Sequence, residues 1–304
     1  MSVQILIGDV RERLRSLPDG SVHCAVTSPP YFGLRDYGMP GQIGLEATPQ
    51  VFVNVMVEVF REVRRVLRDD GTLWLNLGDS YAASTKGAGG QGKQHTNAGS
   101  VMADRSWRIP SGLKPKDLIG IPWRVAFALQ ADGWYLRQDI IWSKPNPMPE
   151  SVTDRCTKAH EYLFLLSKSA RYYYDAAAIA EVLSAPENRV RTAENGKGNG
   201  ELGKGARFGS PEDTRNRRSV WTVATQPFSE AHFATFPPAL IEPCILAGCP
   251  KGGTVLDPFG GAGTSGLVAD RHGRNAILIE LNPAYAEIAR KRIKGDAGMF
   301  AEVA

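Results

Sequence analysis

Cysteine is scarce in this chain of 304 residues: Cys24, Cys156, Cys244 and Cys249 form no Cys-x-x-Cys pair and no Cys/His ligand spacing. A zinc centre is therefore not indicated, no metal is expected, and four reduced thiols of a cytoplasmic protein are the simplest reading. Long apolar runs are missing too. Nothing approaches the roughly 20 apolar residues of a membrane span, so no membrane partner is expected. The chain opens on a short, mostly apolar run at Val3–Ile7 that meets Gly8-Asp9 and then three arginines, too little for the apolar region of a secretion signal. No internal repeat is present. Charge of one sign hardly dominates either, with 36 basic against 32 acidic residues and a net charge of +4, which by itself says little about a partner.

An apolar fraction of 42% suffices for a large core, and the length suits one generous domain or a domain with a lobe. Seven β-rich runs bounded by turn residues read as strands: Val3–Ile7, Val22–Thr27, Thr72–Leu77, Tyr135–Trp142, Tyr162–Leu166, Thr254–Leu256 and Ala276–Ile279. Several are apolar almost throughout, as strands covered on both faces should be. Helical patterns lie between them. After Thr48-Pro49, a cap followed by a first-turn proline, Phe52, Met56, Val59, Phe60, Val63, Val66 and Leu67 form one face, and Asp69-Asp70-Gly71 is expected to end the helix. Further helices fit Lys116–Gln130, Pro238–Ala247, Gly263–His272 and Pro283–Ile293. Such alternation predicts an α/β fold around a mostly parallel, seven-stranded sheet.

Two Gly-rich segments, Ser84–Ser111 and Pro186–Arg218, interrupt the pattern and are too poor in apolar residues to offset their ordering entropy, so mobile binding loops are expected there. Charge is distributed unevenly around them. Residues 1–81 carry −2, residues 82–218 carry +7 and residues 219–304 carry −1. The middle region is thus where a phosphate-binding face belongs.

Near the C-terminus, a strand ending at Asp257 runs into Pro258-Phe259-Gly260-Gly261-Ala262-Gly263-Thr264, then a helix, a strand and Glu280. Gly261, Gly263 and Gly266 satisfy the G-x-G-x-x-G turn, and Glu280 stands where a carboxylate can accept from a ribose diol. A carboxylate at the turn would repel a pyrophosphate and suit an ammonium beside a sulfonium, which favours S-adenosylmethionine over a nicotinamide dinucleotide. Only 24 residues follow Glu280, so the rest of the sheet must come from the N-terminal part, in permuted order.

Near the N-terminus, Val22–Thr27 runs straight into Ser28-Pro29-Pro30-Tyr31. The prolines stiffen the turn and remove two amide donors. Ser28 and the Pro29 carbonyl can accept from an exocyclic amine, while Tyr31 offers a ring to a planar base. Ligand crevices of open α/β sheets lie at the carboxyl ends of the strands, so the two turns can share one cleft.

Together the two motifs resemble the beta group of amino-directed DNA methyltransferases, and the likeness covers most of the chain. It implies the Rossmann-like fold of S-adenosylmethionine-dependent methyltransferases with an inserted DNA-recognition region: a catalytic half over 1–81, a mixed region over 82–218 and a cofactor half over 219–304. It implies a catalytic turn of Ser28, Pro29, Pro30 and Tyr31. Cofactor contacts would come from Asp9, Thr235, Phe236, Asp257, Pro258, Phe259, Gly261, Gly263, Thr264 and Glu280, with Phe233–Pro237 matching the element that holds the methionine end. The reaction implied is methyl transfer to the N4 amine of cytosine in double-stranded DNA by base flipping, with N6-adenine as the rival. A nicotinamide oxidoreductase and an inactive DNA-binding module are rivals of other classes.

Aromatics and cations interleave at Trp107, Arg108, Lys114, Lys116 and over Trp142–Pro147, and Arg155 lies at the head of a strand, so Arg108, Lys114, Lys116, Lys144 and Arg155 are the expected DNA contacts. The resemblance also leaves room for a homodimer and a companion restriction endonuclease, in the cytoplasm of a bacterial or phage-infected cell. His160 reads as structural rather than catalytic.

Overall fold

A computed structural model describes residues 1–82, 113–182, 214–226, 235–297 and 302–303. The first Gly-rich segment, with Trp107 and Arg108, lies outside the described residues, as do most of the second and Phe233-Ala234.

The strands are β1 (Ser2–Ile7), β2 (Val22–Thr27), β3 (Leu67–Leu77), β4 (Tyr135–Ser143), β5 (His160–Ser167), β6 (Glu181–Val182), β7 (Thr214–Arg215), β8 (Val220–Thr222), β9 (Thr254–Asp257), β10 (Asn275–Glu280) and β11 (Glu302–Val303). The helices are α1 (Val10–Arg15), α2 (Pro49–Val66), α3 (Ile121–Ala131), α4 (Pro238–Gly248), α5 (Thr264–Arg271) and α6 (Pro283–Ala297). The main sheet runs β11-β1-β10-β9-β2-β3-β5-β4-β8, and β6 and β7 pair separately. Its central seven strands are the seven expected from the sequence, widened at each edge by a short strand. Every neighbouring pair is parallel except those of β5, which runs against both β3 and β4.

Both ends of the chain build this sheet. The C-terminal β9 and β10 insert between β1 and β2, with Cys24 opposite Val255 and Ala25 opposite Leu256 at the seam. Side chains alternate across the strands, as a pleated sheet requires. Leu73, Leu75, Phe164 and Leu166 pack on one face with α1, α2 and α3, while Trp74, Leu163 and Leu165 join α4, α5 and α6 on the other. The result is a three-layer α/β/α arrangement. Among the described residues, no helix is long and apolar enough to cross a membrane.

Two helix boundaries differ from expectation for identifiable reasons. In α2 the Thr48 hydroxyl caps Val51 N–H, Pro49 opens the helix, and the expected apolar face is buried. Each such side chain contributes about 1.5–3 kcal/mol on burial. The helix nevertheless stops at Val66, ahead of Asp69-Asp70-Gly71, because Leu67 turns extended and pairs with Val22 to start β3. The acidic pair is therefore the exposed start of a strand. Helix α3 begins at Ile121 rather than Lys116, since Lys116 and Gly120 hold left-handed backbone at φ 72° and 76°. Pro122 then occupies the first turn.

Candidate active site

The carboxyl ends of β1, β2, β3, β4, β9 and β10 open on one cleft of about 850 Å³. Because β5 is reversed, its first residues, His160 and Glu161, reach the same rim. All four residues of the expected catalytic turn line the cleft, as do Asp9, Thr235, Phe236, Pro258, Phe259, Gly261, Thr264 and Glu280. The two turns thus come together as the strand-end rule predicts.

Asp9 caps α1, accepting from Arg11 N at 2.8 Å and from Nε and Nη2 of the Arg11 guanidinium. Those bonds hold its carboxyl below the usual range, so it is a fixed anionic acceptor. At the end of β10, Glu280 accepts from Gly261 N and from Asn282 N, each at 2.8 Å. Burial raises its carboxyl pKa despite those bonds.

Asp257 and Gly263 behave otherwise than expected. Asp257 is buried and does not line the cleft, where its carboxylate is expected from the sequence to face an ammonium group. It accepts instead from the Thr27 hydroxyl at 2.6 Å, from Phe259 N at 3.0 Å and from the Ser265 hydroxyl. Gly263, at φ 77°, would place a Cβ 2.8 Å from the Cβ of Ala289. Its glycine is demanded by close approach of α5 to α6, and it does not line the cleft. Gly261 differs, since a Cβ there would meet only the Phe259 carbonyl at 3.9 Å, leaving its surface free for a ligand.

The opposite wall is built around Tyr31. Its hydroxyl donates to Glu161 Oε2 at 2.6 Å and lies 3.3 Å from Asn76 Oδ1. Burial, and secondarily the charge of Glu161, push this phenol well above its ordinary pKa, so it stays a donor. Asn76 Nδ2 donates to the Tyr162 carbonyl at 3.1 Å and also reaches Glu161 Oε2 at 3.3 Å. Lys144 donates to Glu161 Oε1, with its ammonium 4.2 Å from the centre of the Trp142 ring. Beside them Lys158 donates to the Asp79 carbonyl at 3.1 Å, and burial lowers its pKa. Asp79 in turn caps α3 through Gly120 N and Ile121 N, both at 3.0 Å.

Of the expected DNA contacts, Lys144 belongs to the cleft interior rather than to an outward loop. Lys116 is paired with Asp154 at 2.6 Å, Arg155 with Glu150 at 2.5 Å, and Lys114 lies 3.7 Å from Asp117. Arg108 is outside the described residues. Sequence reasoning gives neither Asn76 nor Glu161 a role. The usable signal is positional: Asn76 is the last residue but one of an expected strand, close to its carboxyl end as Thr27 and Asp257 are to theirs.

A family model described as DNA methylase, of the N6/N4 methyltransferase group, matches residues 22–291. The chain belongs to this DNA methylase family. It is 52% identical over 289 residues to the type II methyltransferase M.Cfr9I of Citrobacter freundii, covering 95% of this chain and 87% of that one. It is 49% identical to M.SmaI of Serratia marcescens, over 96% and 91% of the two chains. Among solved structures, the PvuII DNA methyltransferase (cytosine-N4-specific) matches with a TM-score of 0.65 at 20% identity, over 95% of this chain and 86% of that one. The protein TTHA0409 of Thermus thermophilus, solved with S-adenosyl-L-methionine, matches with 0.61 at 24% identity, over 99% of both chains. The fold is therefore the Rossmann-like methyltransferase fold, and the nicotinamide reading falls with the family assignment.

S-adenosylmethionine is the cofactor of this DNA methylase, and the cleft suits it. Carboxylates at Asp9 and Glu280, beside apolar and aromatic walls from Phe259, Ile279 and Tyr285, match hydroxyls, an amine and a purine ring. Discrimination against a pyrophosphate rests on different bonds from those expected. The amides of Gly261 and Phe259, which a phosphate would need, are already taken by the carboxylates of Glu280 and Asp257.

Proposed function

We propose that this methylase transfers a methyl group to the exocyclic N4 amine of cytosine in double-stranded DNA, with the target base flipped into the cleft. One observation carries the reading: Ser28-Pro29-Pro30-Tyr31 faces the same cleft as the glycine turn. Support for cytosine comes from the serine at the head of the turn and from the cytosine-N4 specificity of the PvuII neighbour.

Bound S-adenosylmethionine supplies an activated methyl group on a positively charged sulfur. Its contacts fall to Asp9, Glu280, Gly261 and the Pro258–Phe259 turn, with Thr235 and Phe236 toward the methionine end. Extruding a base costs a few kcal/mol, and stacking on Tyr31 returns about 1–3 kcal/mol. The Ser28 hydroxyl and the Pro29 carbonyl would accept from the two hydrogens of the amine, orienting its lone pair for attack. Most of the acceleration is then positional. The reading uses no thiolate: Cys24, Cys244 and Cys249 are buried in the α4–α6 layer, burial raises the Cys249 thiol to about 12, and the exposed Cys156 does not line the cleft.

The basic region 82–218 is read as the DNA-facing part, and a companion endonuclease as the partner of a type II methyltransferase. The deciding experiment incubates the chain with labelled S-adenosylmethionine and unmethylated genomic DNA, then separates the nucleosides by mass spectrometry. N4-methylcytosine is expected. N6-methyladenine overturns the base assignment, and absence of any methylated base overturns the reading.

A further inference from the structure

The catalytic turn is stiff in its backbone. Pro29 and Pro30 fix two φ angles, and the turn continues into a bond from Gly33 N to the Gly44 carbonyl at 2.7 Å. The Tyr31 side chain needs restraints of its own, and the cleft supplies two. A Cβ on Gly78 would lie 2.4 Å from Cε2 of Tyr31, so the ring rests directly on the Gly78 backbone. The hydroxyl is held by Glu161 at 2.6 Å. Glu161 itself is locked from the far side, because Lys144 donates to its other oxygen while packing on Trp142. The side chains of Lys144 and Glu161 are only 17% and 15% exposed, so water does not compete freely for these bonds.

Resting on the proposed methyl transfer, we infer that Glu161 is a positioning residue: through Tyr31 it fixes the ring against which the target base is held, and Lys144 fixes Glu161. Three strands are thereby coupled to one ring, β4 through Lys144, β5 through Glu161 and β3 through Gly78. Neither charged residue needs to touch the cofactor or the amine. The assignment also gives Lys144 work other than neutralising a DNA phosphate. A carboxylate is suited to this post because a hydrogen bond to a charged acceptor is roughly twice as strong as one between neutral groups.

A double-mutant cycle on the full chain tests this, using Glu161→Gln, Tyr31→Phe and the pair, with unmethylated genomic DNA and saturating S-adenosylmethionine. Each single substitution is expected to lower kcat about tenfold or more, and the double to fall within about twofold of the worse single. Cofactor Kd by calorimetry should stay within about twofold of wild type, and Glu161→Asp, which keeps the charge, should recover part of the loss. Full turnover in Tyr31→Phe, losses that multiply, or a changed cofactor Kd would overturn the positioning role. Tyr31→Phe retains the ring, so it remains informative if Glu161→Gln fails to fold. An active wild type with multiplicative losses counts against this inference alone, whereas a wild type producing no methylated base counts against the proposed function. In that second case the same cycle is read on Tm, where additive shifts overturn the Tyr31–Glu161 coupling.

Discussion

The Thr27 hydroxyl donates to Asp257 Oδ1 at 2.6 Å, joining two residues 230 positions apart. Thr27 is the last residue of β2 and Asp257 the last of β9, so each immediately precedes one of the two functional turns. This buried bond ties the Ser28–Tyr31 turn to the glycine turn. The Ser265 hydroxyl and Phe259 N, bonded to the same carboxylate, extend the tie to the start of α5 and to the turn itself.

Removing that carboxylate should be felt first as instability. Asp257→Ala leaves two buried hydroxyls and the half-buried Phe259 N–H unpaired, at about 1–3 kcal/mol for each buried donor before relaxation. We expect a net loss of about 2–4 kcal/mol in urea unfolding. Unchanged stability with lost cofactor affinity would contradict the buried placement.

Asp257 also predicts a pH dependence. Burial raises its folded pKa above the unfolded carboxylate value, so the folded state binds the proton more tightly. Wild-type stability relative to Asp257→Asn should therefore fall as pH rises from the unfolded value, about 3.9, through the raised folded one. Above that window the difference should level off. Unfolding measured across pH for both proteins checks the sign.

Tyr31→Ala separates the two halves of the cleft. DNA methylation should be lost nearly completely, while S-adenosylmethionine binds with wild-type affinity in calorimetry, because Asp9, Glu280 and the glycine turn are untouched. Wild-type turnover in this variant would remove Tyr31 from the mechanism.

Gly263→Ala should destabilise the fold without reshaping the cleft. Its left-handed φ of 77° and the 2.8 Å approach to Ala289 both oppose a side chain. Together they predict a loss of about 1–3 kcal/mol, with cofactor Kd unchanged in the folded fraction. A weakened Kd at wild-type stability would restore Gly263 as a ligand contact.

DNA affinity should fall steeply with salt, each cation that neutralises a phosphate contributing about 0.9 to the logarithmic slope. Neutralising Lys114, Lys116 and Arg155 together should flatten the slope by at most about 3, and by less wherever the acidic partner keeps the cation. An unchanged slope, with the other basic residues of 82–218 also neutralised, would move the DNA face elsewhere.

The strand-ending motifs are legible in the amino-acid sequence because their chemistry is local. Ser28-Pro29-Pro30-Tyr31 and the glycine turn each announce a ligand-facing strand end, and the seven apolar runs that feed them are the central strands of the sheet. The permuted order is legible in the Ser28–Tyr31 turn preceding the glycine turn along the chain. The parts that mislead are those whose meaning depends on direction. Asp257 and Gly263 lie in the same motif as Gly261, yet a strand's alternation and a helix's approach turn the first two into the interior and leave the third open to the cleft. Pairing partners are equally invisible: Glu161 lies 130 positions from Tyr31, and only the reversal of β5 brings its first residues to the rim where the parallel strands end. Local propensity and motif chemistry thus determine which segments form the sheet and which turns bind. Strand order, strand direction and helix packing decide which side chain faces which, because those contacts join residues that sequence spacing leaves far apart.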